Sequence, residues 1–235
     1  MVSVLQPARV ILDPLDGLWA AVEARRWVWP LLFLAVAVSF SGAAFALRWH
    51  AAPTIIRQLE MSGELQNTTE QDLTQQVVTA RRVRLVTGVA QGMLGAPLVV
   101  LFVALVLKLA GFFFEAPAAF ERCFSAAALA MLPVALFHLI LGASMLRQPA
   151  LAEAQIARLV PSSLLGLAPY ASAPAQRLLA TVDFFKLWSA GLLGLGFAAA
   201  SGMRRSRALL LGFTLYAMYV GVFSVGIPGM RGGAA

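Results

Sequence analysis

The segment that decides the fold is Val86–Leu107, VTGVAQGMLGAPLVVLFVALVL, which has no charged side chain in 22 residues. A helix rises about 1.5 Å per residue, so roughly 20 apolar residues cross a hydrocarbon core about 30 Å thick. Inside lipid, each backbone N–H and C=O must be paired within its own helix. The segment therefore predicts a membrane-spanning helix.

Four further apolar segments have the same character. Hydrophobic residues make up 60% of the 235 residues, charged residues make up 12%, and the mean hydropathy is +0.80. This balance lies outside the range of ordinary soluble domains. We therefore expect an all-α polytopic membrane protein, a five-helix transmembrane bundle in a single domain over 1–235. The predicted spans are 28–47, 86–107, 123–146, 184–203 and 208–230, and the long connections 48–85 and 147–183 are the predicted outer loops.

The first outer loop has helical signals. Thr68 followed by Gln71 is a capping-box pattern, and the helix it opens is expected to run through Arg81–Arg84 directly into the second span. A shorter helix is predicted over Pro53–Met61, ending at Ser62-Gly63. The helical first loop is therefore expected to be structured.

The second outer loop contains an uncharged segment that is long enough to mimic a sixth span. Leu159–Gln176 has no charged residue, but it contains Pro161, Pro169 and Pro174. Each proline removes a backbone donor and disfavours helix at the preceding residue. The segment is therefore predicted to be an interfacial or partly re-entrant loop.

Basic residues favour one orientation of the bundle. Arg204, Arg205 and Arg207 lie in a very short hairpin, where the preference of Lys and Arg for the cytoplasmic side is strongest. We therefore expect a cytoplasmic N-terminus and a C-terminus outside. The net charge of +7 is scattered beside the spans, so we expect lipid head groups rather than nucleic acid as its partner.

The N-terminal segment is predicted to be an amphipathic helix in the membrane interface. Asp13-Pro14 resembles a helix start, and apolar residues then recur at helical spacing through Val22. Tryptophans follow at the depth of the lipid head groups, where indole rings are favoured. A partner-binding helix is the alternative. The candidate anchor residues are Leu15, Leu18, Trp19, Trp27 and Trp29.

Small residues recur every fourth position in two predicted spans. Such stripes let helix backbones approach closely in lipid, either within the bundle or between subunits. Pro97 and Pro133 are expected to kink the second and third spans, with the freed carbonyls directed to the bundle interior. The candidate contact residues are Gly88, Gly92 and Ala96 in one stripe and Ala190, Gly194, Ala198 and Gly202 in the other.

Polar residues near the spans predict no catalytic, metal-binding or cofactor-binding site. His50 and His138 are about 15 Å apart in depth, which argues against paired haem ligands. Asp183 and Lys186 lie at the entrance of the fourth span. The helix dipole favours the Asp183 carboxylate at the start of the helix, and the Lys186 side chain can reach the membrane interface, so both are explained by structural roles. A transport site is the alternative. We therefore expect no enzyme activity and no cofactor.

Several patches together resemble the Yip family (Ypt-interacting proteins), in particular its bacterial five-span members. The most specific patch is Val182–Gly196, which is similar to the family's Asp-x-Phe-x-x-Trp entry to the fourth span, although Lys186 departs from that pattern. The Trp27–Pro30 segment also fits. The family-like signature consists of Asp183, Phe185, Trp188, Pro161 and Ser162. The other segments that resemble the family are Pro161–Leu165, Thr69–Leu85, and Phe120–Phe124 with Pro133.

The resemblance implies five spans, a cytoplasmic N-terminus and no enzyme activity. Eukaryotic relatives associate with small GTPases in vesicle traffic, and some bacterial relatives act beside ABC-type exporters. The leading hypothesis is a non-enzymatic subunit of the inner membrane that steadies such an exporter, with permease and ATPase subunits as partners. A stand-alone transporter or channel and a membrane-organising or trafficking protein are the alternatives.

Overall fold

The computed structural model describes residues 16–167 and 172–222, and this part of the chain is all-α without a named strand. The expected fold class is therefore confirmed at the level of secondary structure. The helices are α1 Asp16–Glu23, α2 Val28–Arg48, α3 Ala52–Ser62, α4 Glu70–Ala90, α5 Ala96–Phe113, α6 Phe120–Ala130, α7 Leu132–Leu146, α8 Ile156–Leu159, α9 Ala173–Thr181, α10 Phe184–Ser201 and α11 Arg205–Val220.

Four helical segments of the described part are long and apolar enough to cross a membrane. They are Val28–Arg48, Glu70–Phe113, Phe120–Leu146 and Phe184–Ser201. The fifth predicted span begins as α11, which has 16 residues, and its remainder beyond 222 lies outside the described residues. The chain is thus a multi-pass helical membrane protein, with four candidate spans in its described part.

The second span is part of a helical rod of 44 residues, Glu70–Phe113. It includes α4, a π-helical segment over Gln91–Gly95, and α5. The rod confirms the predicted continuation of the loop helix into the span. Its first turn differs from the prediction, however, because the capping box joins Thr69 to Asp72 rather than Thr68 to Gln71.

The cap moves by one residue because the Thr68 hydroxyl already donates to the carbonyl of Glu64, at 2.9 Å. The N–H of Asp72 instead donates to the Thr69 hydroxyl oxygen at 3.1 Å, and the Asp72 carboxylate accepts from the N–H of Thr69 at 3.3 Å. A carboxylate in the first turn is also favoured by the helix dipole, which an amide such as Gln71 cannot exploit.

The first small-residue stripe packs the rod against α2. A Cβ on Gly88 would lie 2.9 Å from the carbonyl carbon of Gly42, and one on Gly92 would lie 2.4 Å from the backbone nitrogen of Ser39. Ala96 continues the stripe and is buried. These backbones meet because neither glycine carries a side chain, so this stripe is an intramolecular contact.

The second stripe joins α10 to α11 in the same way. A Cβ on Gly194 would lie 2.6 Å from the carbonyl oxygen of Ala208, while Ala190 and Ala198 are buried. Gly202 is an exception, because it lies beyond the end of α10 with φ +74° and no neighbouring atom within 4 Å of its Cβ position. Its role is to end the helix in a left-handed conformation rather than to pack.

Both predicted kink sites interrupt regular α-helix, and a serine hydroxyl pairs with a backbone carbonyl in the turns before each proline. Before Pro97, the carbonyl of Val89 accepts from the Ser39 hydroxyl at 3.1 Å, at the start of the π segment. Before Pro133, the helix breaks at Met131, and the carbonyl of Ala130 accepts from the buried Ser189 hydroxyl. Protein side chains therefore satisfy these two carbonyls.

Two clusters of buried apolar residues form the core. The first lies between α1, α5, α6 and α10 and includes Leu18, Val100, Leu129 and Phe197. The second lies at the end of the bundle where the two outer loops meet, around Phe45, Trp49, Leu59, Met145 and Leu151. The backbone of Leu151 pairs with Arg48 and His50 at 2.8 and 2.9 Å, so the loops are tied together at this end.

The N-terminal helix packs into the bundle rather than lying free on a surface. Leu18 is 1% exposed and Val22 is completely buried against α6 and α10. Trp19 is partly buried, and the guanidinium of Arg205 lies 5.4 Å from its ring centroid. The helix buries its apolar face because the protein core, rather than lipid, is its nearest apolar neighbour. Leu15 and Asp13-Pro14 lie outside the described residues.

Candidate functional site

The candidate site is the entrance to α10, where the family-like residues converge. Asp183 precedes the helix in an extended conformation, and its Oδ1 accepts from the N–H groups of Phe185 and Lys186 at 2.9 and 3.3 Å. This is the N-cap arrangement, in which a carboxylate pairs otherwise unsatisfied donors and meets the positive end of the helix dipole. Asp183 is only 5% exposed, so these bonds are shielded from solvent.

The preceding loop is bound to the same carboxylate. Ser162 donates its hydroxyl proton to Oδ2 of Asp183, and its carbonyl accepts from the N–H of Phe184 at 2.9 Å. The N–H of Leu164 donates to the carbonyl of Val182 at 3.1 Å, which completes a short antiparallel bridge. Pro161 stands just outside this bridge and is exposed. The two signature patches, 21 residues apart in sequence, therefore form one junction.

Aromatic rings attach the junction to neighbouring helices. The ring of Phe185 lies 5.7 Å from that of Phe137 on α7, measured between centroids. Phe184 contacts both Phe185 and Trp188, at 5.5 and 5.9 Å. Trp188 also packs against the first core cluster. Ring contacts at these separations add to the stability of the junction beyond area burial.

Polar residues continue from the junction into the bundle. Lys186 lies close enough to Asp183 and His138 to interact electrostatically with both, and it forms no ion pair with a described carboxylate. His138 Nδ1 lies 2.8 Å from the Ser41 hydroxyl oxygen, and that hydroxyl also lies 2.9 Å from the carbonyl of Val38. His138 is therefore bound to α2 by a hydrogen bond.

The hydrogen bonds at Asp183 hold the loop and the helix together. Asp183 accepts hydrogen bonds from the Ser162 hydroxyl of the loop and from N–H groups of the helix backbone. Among the residues that the structure describes, no three His, Cys, Asp or Glu side chains are grouped so that they could hold a metal ion. The junction fixes the second outer loop to the entrance of a span.

The predicted tryptophan anchors lie near the opposite end of the bundle from the outer loops. Trp27 is 37% exposed, and its ring stacks edge-on against Phe124 at 5.3 Å. Trp29 is partly buried against the first core cluster. Nearby, Arg25 and Glu121 form an ion pair between the α1–α2 turn and α6. These residues tie the N-terminal segment to the bundle.

Sequence reasoning did not single out several residues on which the packing depends. Gly42 and Gly212 receive the opposing backbones of the two glycine stripes, and Ser41 and Ser189 supply hydrogen bonds inside the bundle. A signal was present for Ser41 and Gly42, because they begin a run of small residues, positions 41–44, inside the first span. Small and hydroxyl-bearing residues within a span are typical of helix contacts.

Comparison with known proteins gives one finding. The Yip1 domain family matches residues 8–225, which include all of the described helices. No curated protein and no solved structure matches the chain. The chain belongs to the Yip1 domain family, and the family match covers both patches that form the junction at α10.

Proposed function

We propose that this member of the Yip1 domain family is a non-enzymatic subunit that binds and stabilises a larger complex in the bacterial cytoplasmic membrane. The proposed complex is an ABC-type exporter, whose permease, ATPase and membrane-fusion subunits would be the partners. The chain would supply a fixed helical surface beside the permease, and ATP would be used by another subunit.

The observation that carries this proposal is the outer face of α5. Five large apolar side chains follow one another on this face at intervals of four and three residues, and they are between 46% and 79% exposed. They are Leu98, Phe102, Leu105, Leu109 and Phe112. Side chains at such intervals lie along one stripe of a helix, and this is the arrangement by which two helices interlock. The outer face can therefore pack against a partner helix, and without a partner it faces lipid.

The opposite face of α5 is already used within the chain. Val100, Ala104 and Leu107 are completely buried against the first core cluster. In the rod Glu70–Phe113, only 22% of the apolar 18-residue segment is buried within the protein, whereas the buried share of the corresponding segment in the other three candidate spans is 44 to 56%. The inner face thus holds small and medium side chains, while the bulkier ones point away from the bundle. This asymmetry supports an external partner for α5.

The geometry at α10 favours a subunit over a stand-alone transporter. A proton-coupled transporter would need a carboxylate that can change its protonation, and Asp183 was the candidate. Both of its oxygens are held by the hydrogen bonds that cap α10 and bind Ser162. Losing the carboxylate charge would weaken this junction, so a fixed structural role is the better account.

The packing of α1 favours a subunit over a membrane-organising protein. Such a protein would insert the apolar face of α1 into lipid, but Leu18, Ala21 and Val22 of that face are buried in the core. Binding strength at an interface scales with the apolar area that the helix offers. The buried face leaves α1 with little to offer a membrane surface.

The proposed orientation places the N-terminus in the cytoplasm and the C-terminus outside. It is supported by Arg204, Arg205 and Arg207 beside the short turn between α10 and α11. In this orientation the second core cluster and the junction at α10 face outward. The exposed parts of the two loops that cover them would then form the surface available to a membrane-fusion subunit.

Site-specific photo-crosslinking in native membranes tests the proposal. A photoreactive phenylalanine analogue replaces Phe102 on the outer face of α5, and a matched variant carries it at Leu210 on α11, which is 69% exposed. The proposal predicts an adduct with an exporter permease from position 102 and none from position 210. Adducts with lipid alone at both positions would contradict it.

A further inference from the structure

We propose that the groove between α2 and α4 at Arg84 is a binding site for the head group of an anionic phospholipid. The groove, called the Arg84 groove below, has a volume of about 190 Å³ and opens to the side of the bundle. Its lining residues are Gly42, Phe45, Arg84, Thr87, Gly88 and Gln91.

The groove exists because two backbones meet at its floor. Gly42 and Gly88 lack side chains and bring α2 and α4 into direct contact, as the 2.7 Å from a Gly42 Cβ position to the Gly88 carbonyl oxygen shows. Phe45 then forms one wall, and the polar side chains of α4 form the other. A mixed apolar and polar lining of this kind suits an amphipathic ligand.

Arg84 is held in place by three contacts but keeps donors free. Its guanidinium carbon lies 4.9 Å from the ring centroid of Phe45 and 5.5 Å from that of Trp49, and Nη2 lies 3.1 Å from Oε1 of Glu153. The side chain remains 43% exposed. A guanidinium has five N–H donors in a fixed fork, so a phosphate can bind beside the carboxylate.

The surroundings of Arg84 attract an anion. Arg81 is exposed about one turn earlier on α4, Arg82 is exposed beside it on a different face, and Glu153 pairs with Arg84. The indole N–H of Trp49, whose ring lies under Arg84, is buried without a hydrogen-bond partner in the described part of the chain. Cationic clusters beside a span are the feature by which membrane proteins recognise anionic head groups.

The polar side chains of the groove lie at two depths that match the phosphate and the acyl ester carbonyls of a phospholipid. Arg84 is the last charged residue before Lys108, so it marks the membrane edge, and Gln91 lies about 10 Å farther along the helix. The Gln91 amide makes no hydrogen bond to another described residue, although it lies within the uncharged segment. A phosphate at Arg84 would place its acyl ester carbonyls deeper, where the amide N–H₂ of Gln91 can donate.

Thr87 lies between Arg84 and Gln91 on the rod and is the third polar side chain that lines the groove. Its hydroxyl lies 2.9 and 3.1 Å from the carbonyls of Val83 and Arg84 and donates to the backbone, so towards a ligand it only accepts. A head group that has its own hydroxyls, such as that of phosphatidylglycerol, can donate to it. Phosphatidylcholine has neither a hydroxyl donor nor a net negative charge.

The size of the groove decides between a lipid and other occupants. Sites for whole drug-sized ligands have volumes of about 300–1,000 Å³, so this groove holds only part of a molecule. The acyl chains of a lipid would lie outside it, along the exposed apolar residues Leu94 and Leu101 of the rod. A partner helix is too wide to enter between α2 and α4, whose backbones touch at the floor.

Native mass spectrometry of the full chain in detergent tests the site. The probes are phosphatidylglycerol and phosphatidylcholine with identical acyl chains. We expect phosphatidylglycerol to bind at least about fivefold more tightly. Gln91→Leu and Arg84→Gln should each lose most of that preference, while Arg57→Gln, which removes an exposed charge from α3, should keep it. Melting temperatures identify variants that fail to fold.

Four results would overturn the proposal. The first is equal binding of the two lipids by the wild type, and the second is an unchanged preference in a folded Gln91→Leu protein. The third is displacement of the lipid by millimolar inorganic phosphate, which would show a free-anion site, and the fourth is retention of a protein instead of lipid on the groove. Failure here is separable from the crosslink at Phe102, because that experiment detects a protein adduct and this one measures a preference between two lipids.

Discussion

Replacing Gly92 by alanine tests the close contact between the first two spans. A Cβ at this position would lie 2.2 Å from the Ser39 hydroxyl oxygen, 2.4 Å from the Ser39 nitrogen and 2.5 Å from the Ala35 carbonyl oxygen. Two of these atoms belong to the backbone of α2, so no rotation of a side chain relieves the overlap. The helices must separate, and the hydrogen bond from Ser39 to the carbonyl of Val89 is strained with them.

The expected loss of stability follows from the cost of overpacking. Inserting a methyl group into a close-packed interior costs about 1–3 kcal/mol. For a chain of this length each kcal/mol corresponds to roughly 2–4 °C in melting temperature, so Gly92→Ala should lower it by about 2–12 °C. The measurement is a thermal melt of the purified protein in one detergent.

Gly95→Ala is the matched control because it lies in the same π-helical segment. The nearest atom to its Cβ position is the Gln91 side-chain Cγ at 3.5 Å, which is an ordinary contact. Alanine is also the better helix former by about 0.5–1 kcal/mol. The control should therefore melt at or above the wild-type temperature. Equal melting of Gly92→Ala and Gly95→Ala would refute the packing of α4 on α2.

Substitutions at three further places test hydrogen bonds of the fold by thermal melting. Asp183→Ala should cost about 1–3 kcal/mol because it removes an N-cap and the bond from Ser162. Asp183→Asn should cost less, because its amide oxygen still caps the helix, but it should not match the wild type, because its NH₂ group cannot accept from Ser162; equal losses in the two variants would contradict the capping role. Ser189→Ala should cost about 1–3 kcal/mol because the Ala130 carbonyl is left unpaired in the core, and an unchanged melt would contradict that bond. Thr69→Ala should cost about 1 kcal/mol of stability, more than Thr68→Ala does. A larger loss in Thr68→Ala than in Thr69→Ala would show that Thr68 is the cap.

The positions of the spans were predictable because hydrophobicity and length alone determine them. Val28–Arg48, Phe120–Leu146 and Phe184–Ser201 lie within a few residues of their predicted limits. Proline also gave correct signals, since the helix breaks before Pro133 and the described part of the proline-containing loop has no spanning helix. These features depend on local sequence.

Other features could not be read from the sequence because they depend on distant neighbours. The apolar face of α1 around Leu18 looks the same whether lipid or protein covers it, and only the fold shows that α6 and α10 do. The choice between Thr68 and Thr69 as the cap depended on which hydroxyl was already engaged. The close approach of Gly92 in the π segment to the backbone of α2 likewise depends on a neighbour that is distant in sequence.

The junction at α10 was predictable in its residues but not in its geometry. The sequence resemblance singled out Asp183, Ser162 and Trp188 as belonging to two patches of one family pattern. Nothing in their spacing showed that the Ser162 hydroxyl and two backbone N–H groups would meet on one carboxylate. The contact requires the loop over Pro161–Leu165 to fold back onto the entrance of α10, which only tertiary structure reveals.

The most direct test of the proposed function is affinity purification of the full chain from its native membranes in a mild detergent, followed by mass spectrometry. The account predicts that an exporter permease and its ATPase are recovered with the wild type, and that replacing Leu105 and Leu109 on the outer face of α5 by alanine reduces their recovery. Recovery of the chain alone, or of the same partners with both proteins, would contradict it.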